Sequence, residues 1–272
     1  MLTIASASGN TFAYAWVDQV PLGFDGAKWA QAICPREVGL GLDGLFLLRL
    51  PESGRPWEIE HWDADGGSTF CGNGTRAAMG IPGAPREDYV EVLSNGLCVA
   101  LRRQADEVAL RMPEGPGYGF LPSPLSLQLP HACAWIGNPQ LIVEVPTVAA
   151  VDLAAFAPPL RHHEAFPQGT NVCIVEILSP GRARIRSWER GVEGETLSCG
   201  TGSAVAGAWL ASRTGIRCWQ LQPSGRDPLR VEAELLPEGH WRELWLSGTV
   251  RVLGSFHPGV GLQLGTPDSI GV

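Results

Sequence analysis

One feature restricts what this chain can fold into more than any other: a pattern that occurs twice. In the first half, the apolar run Leu45–Leu48 and the run Trp57–Trp62 lead through Asp63-Ala64-Asp65-Gly66-Gly67 to Cys71-Gly72-Asn73-Gly74-Thr75-Arg76-Ala77-Ala78-Met79. In the second, Asn171–Glu176 and Ala183–Trp188 lead through Gly191 and Gly194 to Cys199-Gly200-Thr201-Gly202-Ser203-Ala204-Val205-Ala206-Gly207. The shared order is strand, strand, glycine loop, Cys-Gly-x-Gly, then a small-residue helix. Two such segments in one context point to an ancient duplication and to two related halves.

Local signals fill in the elements. Asn95-Gly96 between Glu91–Leu93 and Leu97–Leu101 is a two-residue hairpin turn. Pro223-Ser224-Gly225-Arg226 separates Trp219–Leu221 from Leu229–Ala233 in the same way. The helix over Ser203–Ser212 stops at Gly215, whereas Ile81-Pro82-Gly83 limits the first-half helix to about two turns. With 34 Gly and 22 Pro the chain is expected to be rich in strands and turns, with two to four helices. The breaker-rich stretch Glu114–Pro124 is the expected linker. The expected domains are therefore residues 1–122, carrying Cys71, and 123–272, carrying Cys199, with the last residues free to return to the first.

Composition removes several function classes. A net charge of −8 argues against a surface that tracks nucleic-acid phosphates. No stretch reaches the roughly 18 apolar residues that span a bilayer, and the first residues lack the basic and apolar regions of a leader, so a cytoplasmic protein is expected. The single lysine, Lys28, opens a predicted surface helix with no phosphate-cradling loop near it, so pyridoxal-phosphate chemistry is not expected. His61, His131, His162, His163, His240 and His257 lack metal-ligand spacing, and no metal is expected. The seven cysteines lack CxxC spacing, and most read as reduced, buried thiols.

Cys71 and Cys199 differ because each directly precedes a helix. The positive end of a helix and its unpaired N–H groups favour thiolate over thiol. The glycines that follow let backbone N–H groups approach a carboxylate closely. Two such sites on opposite sides of one α-carbon suit stereoinversion: one thiolate removes the α-proton and the other thiol returns one from the opposite face. The helix ends would also stabilise charge that moves onto the carboxylate. A Cys71–Cys199 disulfide in an empty, oxidised site is a further expectation.

These residues resemble the diaminopimelate epimerase family, within the wider class that includes proline racemase and the phenazine-biosynthesis isomerases. Gly9-Asn10-Thr11-Phe12, Asp63-Ala64-Asp65-Gly66, Cys71–Arg76, Gly137-Asn138-Pro139-Gln140, Phe166–Val172, Glu189-Arg190-Gly191 and Gly194–Gly202 follow the family's motifs in order. The resemblance implies an α/β (α+β) protein of two pseudo-symmetric lobes, each a β-sheet wrapped around a central helix. It also implies an amino-acid substrate and no cofactor. Carried over, Cys71 and Cys199 are the catalytic pair, and Glu189 assists Cys199 and the substrate ammonium. Gly72, Asn73, Gly200 and Thr201 bind the reacting carboxylate, Asn138, Asn171 and Arg190 hold the distal, non-reacting end, and Asn10 and Asp63 join the substrate-binding set.

Four positions depart from the family pattern. Gln140 replaces a histidine expected to partner the first thiol, Asp63 replaces an asparagine, Gly44 a glutamine and Thr11 an aspartate. Asp63 adds negative charge to the substrate-binding set and could favour a cationic substrate side chain. Three readings stay open: epimerisation of LL-diaminopimelate to the meso form, racemisation of another, basic amino acid, or amino-acid binding without catalysis. A homodimer is compatible with all three.

Overall fold

A computed structural model describes residues 1–52, 55–225, 227–236 and 240–257, and the backbone of 261–264. The chain forms two compact units, one of Met1–Leu110 together with the segment from Gly248 onward, the other of Arg111–Ser247. The breaker-rich stretch Glu114–Pro124 therefore lies inside the second unit. Arg226 of the second predicted turn, and most of the chain after His257, lie outside the described residues.

The first unit opens with β1 (Leu2–Ala7) and β2 (Asn10–Trp16), then α1 (Gly26–Ile33), β3 (Gly44–Arg49) and β4 (Trp57–Asp63). It continues with α2 (Gly72–Ala78), β5 (Tyr89–Ser94), β6 (Leu97–Gln104) and β7 (Glu107–Arg111, whose last residue begins the second unit). β1 and β2 are antiparallel, β2 and β3 parallel, β3 and β4 antiparallel, β4 and β5 parallel, β5 and β6 antiparallel.

The second unit contains β8 (Gly119–Leu121), β9 (His131–Trp135), β10 (Pro139–Glu144), α3 (Leu153–Arg161), β11 (Asn171–Ser179) and β12 (Arg182–Glu189). After these come β13 (Gly194–Thr196), α4 (Gly200–Thr214), β14 (Cys218–Gln222), β15 (Leu229–Leu235) and the start of β16 (Trp241–His257). Its pairings repeat those of the first unit: β9 and β10 antiparallel, β10 and β11 parallel, β11 and β12 antiparallel, β12 and β14 parallel, β14 and β15 antiparallel. Each unit thus makes two parallel crossovers, one through an outer helix (α1 or α3) and one through the helix that follows a Cys (α2 or α4). The duplication read from the motifs extends to the whole strand order.

The predicted local features are in place. Asn95 and Gly96 have φ of 45° and 80°, the pair of left-handed residues that a type I′ hairpin requires. Gly215 caps α4 at φ 75°. The first-half helix has seven residues, and α4 begins at Gly200, three residues earlier than the Ala-rich run alone indicates.

Both Cys-linked helices lack a solvent face. Every residue of α2 is buried, and so is every residue of α4 from Gly200 to Ala211, so their sides are mostly small or apolar, with Arg76 the one charged residue among them. Close packing explains the composition. A Cβ on Gly74 would lie 2.0 Å from the ring of Phe46, and one on Gly207 would lie 2.5 Å from the Cβ of Val231 on β15. By contrast, the crossover helix α3 packs one face on Leu141, Val143, Val172 and Ile174, the alternate residues of β10 and β11.

The core of the first unit holds an unexpected polar group. His61 on β4 is 1% exposed and stacks on Phe46 with ring centres 4.3 Å apart. Its Nδ1 lies 2.9 Å from the Thr69 carbonyl, which can only accept, so Nδ1 carries the proton in the neutral ring. Nε2 then faces Asp63 Oδ1 at 3.6 Å. Burial lowers the His61 pKa, against the opposing pull of Asp63.

Two outcomes follow. In Gly207→Ala the helix gains about 0.5–1 kcal/mol from reduced backbone freedom, but overpacking against Val231 costs about 1–3 kcal/mol. Overpacking wins, because a Cβ-level clash cannot be relieved by rotating a side chain, and thermal melting should register a lower midpoint. The second outcome concerns pH. An unfolded His takes up its proton near pH 6.5, while folded His61 resists until lower pH, so stability is full above that value and declines as pH falls below it. Denaturant unfolding of His61→Gln between about pH 5 and 8 should show a shallower decline than the parent. Equal slopes would refute this account of His61.

Candidate active site

In the first unit, Cys71 is the N-cap of α2, with extended backbone (φ −118°, ψ 106°), and is half-buried. Its carbonyl accepts the first helical bond from the Thr75 N–H at 2.9 Å. Gly72, Asn73 and Gly74 form the first turn, where N–H groups have no partner within the helix. The helix is held in its sheet from several sides. The Tyr14 hydroxyl donates to the Gly74 carbonyl at 2.8 Å, and the buried Thr75 hydroxyl pairs with Ser94 at 2.7 Å. The fully buried Arg76 guanidinium donates to the Gly248 and Thr249 carbonyls and to Ser8 Oγ.

Asn10 and Asn73 meet directly: Asn73 Nδ2 donates to Asn10 Oδ1 at 2.9 Å. Asp63 lies at the end of β4, where its carboxylate accepts from the Thr69 hydroxyl at 2.8 Å and its side chain is 42% exposed. Gly44 explains part of this arrangement, since a Cβ there would lie 2.5 Å from His61 Nε2. Two departures from the family pattern, Gly44 and Asp63, therefore surround the same buried imidazole. Asn95 clamps the loop ahead of Cys71, accepting from the His61 N–H and donating to the His61 and Thr69 carbonyls and Ser68 Oγ.

In the second unit, Cys199 is the N-cap of α4 and is 2% exposed. Its sulfur accepts from the Gly202 N–H at 3.4 Å and lies 3.6 Å from Thr201 Oγ1. Gln140 reaches the same turn: its Nε2 donates to Thr201 Oγ1 at 3.0 Å and to Asn138 Oδ1 at 2.7 Å. Asn171 Oδ1 accepts from the Arg190 N–H at 2.7 Å, and the Arg190 guanidinium donates to the Gln168 carbonyl. Glu189 accepts from the Thr196 hydroxyl at 2.5 Å. The second unit thus gathers Asn138, Gln140, Thr201 and Cys199 at one helix end, with Asn171 bonded to the Arg190 backbone.

One expectation is corrected here. The helix end was expected to favour the thiolate, yet the Cys199 pKa is raised well above the ordinary thiol value. The largest cause is a hydrogen bond with Cys173, followed by burial and the negative charge of Glu189. Desolvation and neighbouring groups outweigh a terminus worth roughly 0.3–1 kcal/mol at exposed sites. Cys173 itself was missed. In the run Val172-Cys173-Ile174-Val175 a cysteine looks like one more apolar strand residue, and only the strand alternation that places Gln140 opposite Asn171 shows that it faces α4.

Among the described residues, no group of three or more His, Cys, Asp or Glu could hold a metal ion, and no helix is long and apolar enough to cross a membrane.

Comparison with known proteins identifies relatives by sequence and by fold. The family profile described as diaminopimelate epimerase matches residues 132–221. A diaminopimelate epimerase of Thermosynechococcus vestitus is 34% identical over 79% of this chain and 81% of its own length. Among solved structures, a PhzF-family phenazine biosynthesis protein of Bacillus anthracis covers 92% of this chain and 95% of its own, with a TM-score of 0.66 at 14% identity. A hydroxyproline epimerase of Agrobacterium vitis covers 93% and 90%, with a TM-score of 0.60 at 13% identity. Sequence and fold together place this chain in the diaminopimelate epimerase family, as an isomerase of the epimerase and racemase kind.

Proposed function

We propose that this chain inverts the α-carbon of LL-diaminopimelate to give the meso form, with Cys71 and Cys199 as acid and base and no cofactor. The observation that carries this reading is the N-cap position of both thiols, each at a helix packed inside its own unit. In one direction a thiolate takes the α-proton and the other thiol delivers a proton to the opposite face; in the other direction the roles exchange. Gly72, Asn73, Gly200 and Thr201 bind the α-carboxylate, whose charge rises as the proton leaves. Glu189 binds the substrate ammonium and influences Cys199 through its charge. Asn10, Asn138, Asn171 and Arg190 hold the distal amino-acid end, and a guanidinium suits that role because it can pair with a carboxylate through two bonds.

A second substrate class is favoured by one feature, the partly exposed Asp63 carboxylate. An anion among groups that receive the distal end matches an amino acid with a cationic side chain better than one ending in a second carboxylate.

Purified, reduced protein incubated with LL-diaminopimelate in D₂O should incorporate deuterium at the α-carbon and yield the meso isomer. Absence of both would reject this substrate. Cys71→Ala and Cys199→Ala should each lower interconversion by about 100-fold or more, the scale of a lost acid or base. In a screen of free amino acids, exchange confined to diaminopimelate would retire the cationic alternative. Preferential exchange of a basic amino acid, weakened by Asp63→Asn, would establish it instead.

A further inference from the structure

Arg161, the last residue of α3, carries a charge that the proposed reaction leaves unused, and its side chain is only 10% exposed. It lies against two segments at once. On one side its guanidinium rests on Gly169, where a Cβ would lie 1.5 Å from Nη1, and its carbonyl accepts from the Thr170 N–H at 3.3 Å. On the other, its Nη2 donates to Glu193 Oε1 at 2.6 Å. The first segment leads into Asn171, and the second follows Arg190. Glu193 closes its turn twice over: its N–H donates to the Glu189 carbonyl at 2.9 Å, and Oε1 also accepts from the Gly191 N–H at 3.1 Å. Oε2 lies 3.4 Å from His162 Nε2. The backbone at Glu193 is left-handed, with φ of 52°, a conformation that a glutamate keeps only where its surroundings hold it. Here the carboxylate supplies that hold.

We propose that Arg161 and Glu193 are positioning residues that fix Arg190 and Asn171 for the distal end of the substrate. The proposal rests on reading Arg190 as a group that binds that end. Arg190 joins the two segments, since its N–H reaches Asn171 Oδ1 at 2.7 Å and its guanidinium reaches the Gln168 carbonyl. Arg161, Glu193, Arg190 and residues 168–171 therefore form a closed ring of contacts. Within it, the buried charge of Arg161 anchors the turn to α3, and the shape of the turn sets where Arg190 leaves the backbone. A guanidinium pairs with a carboxylate through two bonds only when its planar fork is correctly aimed. Holding that aim before substrate arrives spares the ordering cost at binding, so the clasp acts on affinity and leaves the proton transfers alone.

Amide hydrogen exchange of the full chain without substrate, read by mass spectrometry, tests the clasp itself. In Arg161→Met the peptide over residues 189–194 should exchange about tenfold faster than in the parent, the scale of one lost charge-assisted hydrogen bond. Glu193→Asn releases the same turn from its exposed side while tolerating the left-handed backbone, so it decides the matter should the buried substitution not fold. Unchanged exchange in a folded variant would overturn the proposal. The functional half is read from α-proton exchange of LL-diaminopimelate. Either variant should raise KM about tenfold with kcat within about twofold of the parent. Arg190→Ala should raise KM at least as far, and Glu193→Asn placed on top of it should add nothing, because the clasp acts through Arg190. Effects that add, or a fall in kcat at constant KM, would overturn the proposal and leave Arg161 a structural residue. A parental KM in Arg190→Ala would instead reject the distal-end reading, and the functional role with it, whatever the turn itself does.

Discussion

A helix with no side facing water can pack closely against strands only where small residues meet them, and the rest of this structure follows from that constraint. Gly74 and Gly207 are required by Phe46 and Val231, which approach to distances no side chain would permit. A helix placed in this way carries its N-terminus into the protein with first N–H groups that the helix backbone does not pair; in α4 the Gly202 N–H turns to the Cys199 sulfur. The residue at that terminus then experiences both the positive end of the helix and the low polarisability of the interior. Cysteine is chemically suited to such a place, since its thiol tolerates burial and its thiolate is stabilised by N–H donors.

Those two influences oppose each other, and at Cys199 the interior prevails. Position at a helix end is therefore not enough to predict a reactive thiolate. How many N–H groups reach the sulfur, and which acceptors and charges surround it, decides the outcome. Here one N–H reaches it, from Gly202, while Cys173 and Glu189 act in the opposite sense.

Features set by local rules were legible in the sequence: the Asn95-Gly96 hairpin, the Gly215 cap, the short α2 and the N-cap cysteines all depend on neighbours within a few residues. The recurrence of the motif also revealed the duplicated strand order. Cys173 and His61 were not legible. Each lies in a strand whose alternation shows that two faces exist but not which one meets the Cys-linked helix or the aromatic cluster. His61 further depends on Gly44, distant in sequence and brought alongside by the β3–β4 register. Arg76 illustrates the same limit, since two of its acceptors, the Gly248 and Thr249 carbonyls, come from the segment after residue 247.

Asn95 connects a hairpin turn to the loop that precedes Cys71, and its amide accounts for the connection: the oxygen accepts once while the nitrogen serves three acceptors. An asparagine followed by glycine is also the sequence most prone to lose its side-chain amide with time and heat. Conversion to a carboxylate would leave the accepted bond possible, and the Ser68 hydroxyl could turn to donate, but the bonds to the His61 and Thr69 carbonyls would become contacts between oxygens. The loop ahead of Cys71 would then be released by chemical ageing at a residue remote from it in sequence, so the hydrogen bonds that hold this amide also bear on how long the protein keeps its folded shape.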